Sequence, residues 1–352
     1  MKKAIAILLA AMMALAMVAC GNDPAPTPTP TPDPEPTTGT YKTGLGIVVS
    51  LKDATIEEDE AGEPQADVTV CEATFDRDGK IVAVSFDVAQ CKSQFNADGT
   101  VAYKEILTKR ELGDDYNMVK YSNPTAVGEW YEQAAALEAY CIGKTAAEVA
   151  GMPLGENAHG YTDAPAVEEL KSTCTISVTA FLNALTKAYD NAKDENTTYA
   201  KAGLGIVVSF SGNDAEDETL AKTQADVTAA AIALDAEGKI VAISLDVVQC
   251  AASAEDGEVT FSATSNVTKR ERGADYGMKA VMANAVGEWY EQAAAFEAYC
   301  IGKTPAEVAG MELGANAVGY TDTPAAEELK TSCTISVTAF LNAITKAAEF
   351  AK

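Results

Sequence analysis

Two threonines stand where side-chain type and spacing could carry chemistry. Thr175 ends the run Glu169-Leu170-Lys171-Ser172-Thr173-Cys174-Thr175, and Thr334 ends Glu328-Leu329-Lys330-Thr331-Ser332-Cys333-Thr334. Each is followed by Ile-Ser-Val-Thr-Ala-Phe-Leu, which reads as the opening of a helix. A hydroxyl just ahead of a helix meets free backbone N–H groups and the positive end of the helix dipole, a setting that favours a phosphate. Lys171 and Lys330 would add positive charge there. The plainer use of the same residues is structural, with Thr175 and Thr334 as helix N-caps and Ser177 and Ser336 as helpers.

A second stretch, Thr108-Lys-Arg-Glu-Leu-Gly-Asp-Asp-Tyr-Asn-Met118, returns as Thr268 to Met278 and keeps Lys109, Arg110, Asp115, Tyr116 and Met118 in kind. It reads as a ligand-facing loop or as a salt-bridged turn. Trp130-Tyr131 and Trp289-Tyr290 offer flat rings for stacking, or simply core packing. Acid–base chemistry is poorly provided for. His159 is the one histidine in the chain, and Val318 stands at its matching position. Ser-His-Asp or Cys-His hydrolysis and a His-ligated metal are therefore disfavoured.

The elements that must position these residues occur twice. Leu45-Gly-Ile-Val-Val-Ser50 returns as Leu204 to Ser209, an offset of 159. Val127 to Met152 returns as Val286 to Met311 with 24 of 26 residues identical. A period this long suits a duplicated domain rather than a solenoid unit. The expectation is two tandem copies of one small domain, 41–193 and 200–352, with the boundary in the polar stretch 190–198.

Within each copy the pattern is α+β, an antiparallel sheet packed with helices. A strand is expected at Gly46 to Leu51. Asp67 to Phe75 and Lys80 to Val88 form a hairpin about the turn Asp76-Arg-Asp-Gly79. Val127, Trp130, Tyr131, Ala134, Leu137 and Cys141 share one helical face, with Asn123-Pro124 as start and Gly143 as stop. A short helix opens at Thr145 with Glu148 in the capping-box position, and the last helix covers Val178 to Ala192.

Ahead of the repeats, residues 1–19 have the layout of a secretory signal: Lys2 and Lys3, an uncharged apolar run, then small residues before Cys20. Cleavage before Cys20 and acylation of its thiol and new amino group would anchor the chain through lipid. Residues 20–40 then hold the lipidated cysteine and a Pro/Thr linker, extended by its alternating prolines. The expected location is the outer face of the bacterial cytoplasmic membrane or cell surface, with the membrane as partner through the N-terminal lipid.

The chain carries a net charge of −26, and loss of Lys2 and Lys3 makes it −28. Such a surface repels phosphate backbones, so no nucleic-acid partner is expected. Three cysteines recur (Cys91, Cys141 and Cys174 with Cys250, Cys300 and Cys333), and Cys71 has Ala230 opposite. One disulfide with a spare thiol per copy, reduced core thiols, or a less favoured Cys₃ metal site all remain open.

The hairpin with its Asp-Gly-Lys-Ile turn, followed far downstream by the Glu169–Thr175 run, resembles the FMN-binding domain family of exported electron-transfer flavoproteins. Those domains show a strand, D-G-K-I, a second strand, and later D-x-x-[ST]-G-A-[ST] before a helix. The resemblance spans both ends of each copy, about half its length. Glu169 and Glu328 stand for the acid, Ser172 and Thr331 for the hydroxyl residue, and Thr175 and Thr334 for the terminal Thr. Thr173 or Ser332 replaces Gly, and Cys174 or Cys333 replaces Ala. The resemblance implies one covalent FMN per repeat on Thr175 and Thr334, installed by a flavin transferase, and electron exchange with neighbouring redox proteins rather than enzymatic turnover. The alternative is a lipid-anchored tandem ligand-binding or surface-interaction module without flavin.

Overall fold

The glycine of the recurring Leu-Gly-Ile-Val-Val-Ser run shows how each sheet meets its helix. A Cβ on Gly46 would lie 1.9 Å from the carbonyl oxygen of Ala184, and one on Gly205 2.0 Å from that of Ala343. The strand and helix backbones touch, which only glycine on the strand permits. The computed structural model describes residues 37–352 except 59, 105, 123–125, 218, 283–284 and 317–318. The expected signal segment, Cys20 and the expected linker up to residue 36 lie outside the described residues.

In the first half the strands are β1 (Thr37–Lys52), β2 (Gln65–Phe75), β3 (Ile81–Phe95) and β4 (Val101–Tyr103). The helices that follow are α1 (Lys109–Leu112), α2 (Trp130–Cys141), α3 (Ala146–Ala150) and α4 (Thr179–Asn191). Then comes β5 (Lys193–Tyr199). The second half lays down the same series: β6 (Lys201–Asn213), β7 (Lys222–Leu234), β8 (Ile240–Glu255), β9 (Glu258–Phe261), α5 (Lys269–Arg272), α6 (Trp289–Cys300), α7 (Pro305–Ala309) and α8 (Thr338–Glu349).

One sheet runs β4-β3-β2-β1-β5 and the other Ala54–Thr55-β9-β8-β7-β6, with antiparallel neighbours throughout. The fold class is α+β, as expected. The turn Asp76–Gly79 closes the first hairpin, with Gly79 at φ +74. The Thr145–Glu148 capping box is formed, and its counterpart Thr304–Glu307 has Pro305 at the first helical position.

The structure departs from the expectations at three places. The polar stretch taken as a boundary is a strand: β5 pairs with β1, Thr37 opposite Tyr199 and Thr43 opposite Lys193. An edge strand needs only its backbone groups, so polarity does not forbid it. The same pairing draws residues 37–40, assigned to the tether, into β1. The helix expected from Asn123-Pro124 begins later, at Trp130, and Val127 is exposed.

Each sheet is covered on both faces. Outward, Phe75, Ile81, Val84 and Phe86 pack on α2 and α4 through Trp130, Leu137, Phe181 and Leu185. The second half builds the matching core from Ile232, Ile240, Leu245, Trp289, Phe296 and Phe340. Inward, Ile47, Val68 and Val70 of one sheet meet Ile206, Val227 and Ala229 of the other. The two halves therefore stack sheet to sheet with helices outside, in one compact unit. Among the described residues no helix is long and apolar enough to cross a membrane.

Candidate functional site

Where α2 and the approach to α4 leave the outer face of the first sheet uncovered, a cavity of about 560 Å³ opens. A cavity of about 360 Å³ occupies the matching place in the second half. Lys109, Trp130, Gln133, Thr175 and Ser177 line the first; Lys269, Trp289, Gln292, Thr334 and Ser336 line the second. The two sites are thus assembled from residues at equivalent positions.

Thr175 is held by side chains distant in sequence. Its backbone N–H donates to Gln133 Oε1 at 2.9 Å, and its hydroxyl donates to the same oxygen at 3.2 Å. Its carbonyl accepts from Asn157 Nδ2 at 2.9 Å. Thr334 repeats the pattern with Gln292 (2.9 and 3.3 Å) and Asn316 (2.8 Å). Gln133, buried on α2, is fixed in turn by donating to the Gly128 carbonyl at 2.8 Å and toward Met118 Sδ at 3.2 Å.

Thr175 does not cap α4, which starts at Thr179. Asp163 does that work: its Oδ2 accepts from the Thr179 N–H at 3.3 Å and from the Ser177 hydroxyl at 2.5 Å. Partial burial works against its charge, but the bonds from Ser177 and Thr179 hold the carboxyl below its ordinary value. Asp322 serves α8 in the same way, with Ser336 and Thr338 as donors. The positive end of each helix therefore already faces a carboxylate. This corrects both the free helix N-terminus and the threonine caps expected from sequence.

The positive charge also sits elsewhere. Lys171 pairs with Glu168 at 2.6 Å and Lys330 with Glu327 at 2.5 Å; both lysines are exposed and neither lines a cavity. Glu169, Ser172, Glu328 and Thr331 are likewise exposed and outside the cavity walls. Among the described residues lining the cavities, the lysine in each wall is Lys109 or Lys269. Lys109 Nζ lies 4.9 Å from the Tyr116 ring centroid and 5.6 Å from that of Trp130; Lys269 lies 5.0 Å from Tyr276 and 5.4 Å from Trp289. Such placement favours a cation and leaves its donors free to turn toward a ligand. The recurring 108–118 stretch thus supplies Lys109, Tyr116 and Met118 to the wall. Trp130 lends an edge while mostly buried, and Tyr131 donates its hydroxyl to Asp114 at 3.1 Å instead.

The short helix that presents Lys109 is braced on several sides. Thr108 and Glu111 close a capping box around it. Asp87 accepts from the Arg110 N–H at 3.1 Å. Burial pushes this carboxyl up to about 6, against opposing hydrogen bonds from Thr108, Arg110 and Val88. Arg110 reaches Glu138 at 2.5 Å, and Glu111 pairs with Lys346 of the other half. Sequence reasoning missed Gln133 and Glu138. The available signal was two polar residues on the buried stripe of α2 that recur as Gln292 and Glu297 on α6.

All seven described cysteines are buried free thiols. Burial pushes Cys141, Cys174, Cys250 and Cys300 up to about 12 and Cys333 to about 11. Among the described residues no group of three or more His, Cys, Asp or Glu is placed to hold a metal ion.

No family model matches the chain, and no solved structure matches it. A curated relative, the chlorophenol reductase of Desulfitobacterium hafniense, is 30% identical over 120 residues, a match covering 30% of this chain and 36% of that protein. The chain thus spans little more than a third of the curated relative it matches.

Proposed function

We propose that this chain is an exported, lipid-anchored electron carrier that holds one FMN in each half, esterified on Thr175 and Thr334. The observation that carries the reading is the paired cavity. In each half the same threonine hydroxyl meets a wall containing a lysine, an indole edge and several hydrogen-bonding side chains. These residues suit FMN. Thr175 or Thr334 would hold the phosphate end, Lys109 or Lys269 would offset its charge, and Trp130, Met118 and Phe181 or their counterparts would flank the ring. Bound flavin supplies one- and two-electron transfer, while the protein orients it and sets its surroundings.

The rest of the chain has a role in this account. Acylation at Cys20 and the Pro/Thr linker place the folded part outside the membrane, near other redox proteins. A flavin transferase would load the threonines. The partial relative is named a reductase, and electron delivery belongs to the same chemical class.

Asp163 and Asp322 favour a second reading, a tandem ligand-binding or surface-interaction module without flavin. Their carboxylates already satisfy the helix ends where a phosphate would otherwise settle. Co-expression of the full chain with a flavin transferase separates the two. In-gel flavin fluorescence should persist in Thr175→Ser and Thr334→Ser, and vanish in the double Thr→Val variant. An unlabelled wild-type chain without bound flavin would leave the second reading standing.

A further inference from the structure

We infer that Asp67 and Asp226, each clasped by two glutamines, recognise an imide or ureide edge of the ligand, an N–H flanked by carbonyls. This rests on the flavin reading above, where that edge is the pyrimidine end of the ring. Among the described residues lining each cavity, Asp67 and Asp226 are the acidic ones. Asp67 stands directly opposite Gln90 across the β2–β3 ladder, and Asp226 opposite Gln249 across β7–β8.

Gln65 Nε2 lies 2.8 Å from both oxygens of Asp67, and Gln90 Nε2 lies 3.0 Å from Oδ1. In the second half Gln224 Nε2 lies 3.0 and 3.3 Å from Asp226, and Gln249 Nε2 lies 2.8 Å away. A carboxamide nitrogen has two N–H groups. One is directed at the aspartate; the other remains for a ligand. In the first half Gln65, Asp67 and Gln90 all line the cavity, so its wall offers a charged acceptor flanked by donors, the complement of carbonyl, N–H, carbonyl. In the second half Asp226 and Gln249 line the cavity, and Gln224 braces Asp226 from outside that wall. A ligand edge with an acceptor in place of the N–H would set its lone pairs against the carboxylate, which penalises it. This orients the molecule, with the imide end at the sheet and the remaining end toward Thr175 or Thr334.

The test uses flavin-loaded full chain in a Thr334→Val background, so that the first half alone carries label. Asp67→Asn removes the charge without changing size, and Asp67→Glu restores it. A carboxylate beside the ring opposes added electron density, so Asp67→Asn should shift the midpoint potential positive in a dithionite titration followed by absorbance. Asp67→Glu should stay near the unvaried value. Loss of flavin from Asp67→Asn with an unchanged melting curve, while Asp67→Glu stays loaded, would equally support recognition. A fully loaded Asp67→Asn with the unvaried potential would overturn the inference. Absence of flavin from the unvaried chain is a separate result, which removes the flavin reading and this inference with it.

Discussion

Lys352 Nζ of the second half lies 2.5 Å from Glu138 Oε2 of the first, and the relation is reciprocal, since Lys193 Nζ reaches Glu297 Oε2 at 3.5 Å. A second pair repeats the exchange: Lys187 meets Glu271 and Lys346 meets Glu111. Contacts in which each partner uses the same patch are the signature of an isologous interface. Here they have a local consequence. Glu138 and Glu111 both brace α1, which presents Lys109 to the cavity, so each half helps to hold the other half's site.

Glu138 is buried and receives the Arg110 guanidinium, the Lys352 ammonium and the Phe86 N–H. Removing it strands a largely buried guanidinium, so Glu138→Ala should cost about 3–5 kcal/mol. Lys352 is half-exposed, and Lys352→Ala should cost under about 1 kcal/mol. Chemical denaturation of both variants checks the contrast. Equal small losses would mean the network contributes little.

Gly46 and Gly205 should tolerate no side chain. A Cβ would sit 1.9 to 2.0 Å from a helix carbonyl, so strand and helix must separate. Gly46→Ala should reach or exceed the upper end of the overpacking range, about 3 kcal/mol. A melting temperature equal to that of the unvaried protein would show that the helix shifts freely.

Stability should carry a pH signature from Glu72. Its carboxyl is fully buried, and among the described residues its Oε2 has no hydrogen-bond partner. Burial pushes it from 4.5 up to about 8, with the Thr74 hydrogen bond and Lys352 pulling down and Glu138 pushing up. The folded state thus holds the proton more tightly than the unfolded chain. That contribution is complete below about pH 4.5 and is lost as pH rises through about 8. Glu72→Gln should flatten this loss, so the variant gains on the unvaried protein between pH 5 and pH 9 (by about 1–3 kcal/mol at the upper end). Ala231 occupies the matching place in the second half, so the effect belongs to the first half alone. Denaturation midpoints at the two pH values decide it.

Thiol chemistry should be silent until the fold opens. With seven buried thiols, several pushed up to 11 or 12, a thiol reagent at pH 8 should label none of Cys71, Cys91, Cys141, Cys174, Cys250, Cys300 and Cys333 in the native protein. Guanidinium should expose all seven. Fast labelling without denaturant would indicate that one of the cores opens readily.

The hairpin was legible because turn chemistry and strand residues coincide at Asp76–Gly79, and α3 because Thr145 and Glu148 form a local box. The sheet-to-sheet stack was not. Val68 and Val70 face one way and Cys71 and Ala73 the other, so both faces of β2 are apolar. That pattern announces burial on two sides but does not name the partner. At the candidate site, Thr175 and Lys109 were legible as recurring residues. Asp163 was not, because a cap contributed from 16 residues upstream leaves no local spacing to read. Gln133 and Glu138 were hidden by their polarity within an apolar stripe.

The central claim is one flavin per half, fixed to a named hydroxyl, and intact mass of the full chain made with a flavin transferase tests it most directly. The account predicts two FMN additions, one lost in Thr175→Val, the other in Thr334→Val, and both in the double variant. An unmodified chain, or additions that survive both substitutions, would contradict it.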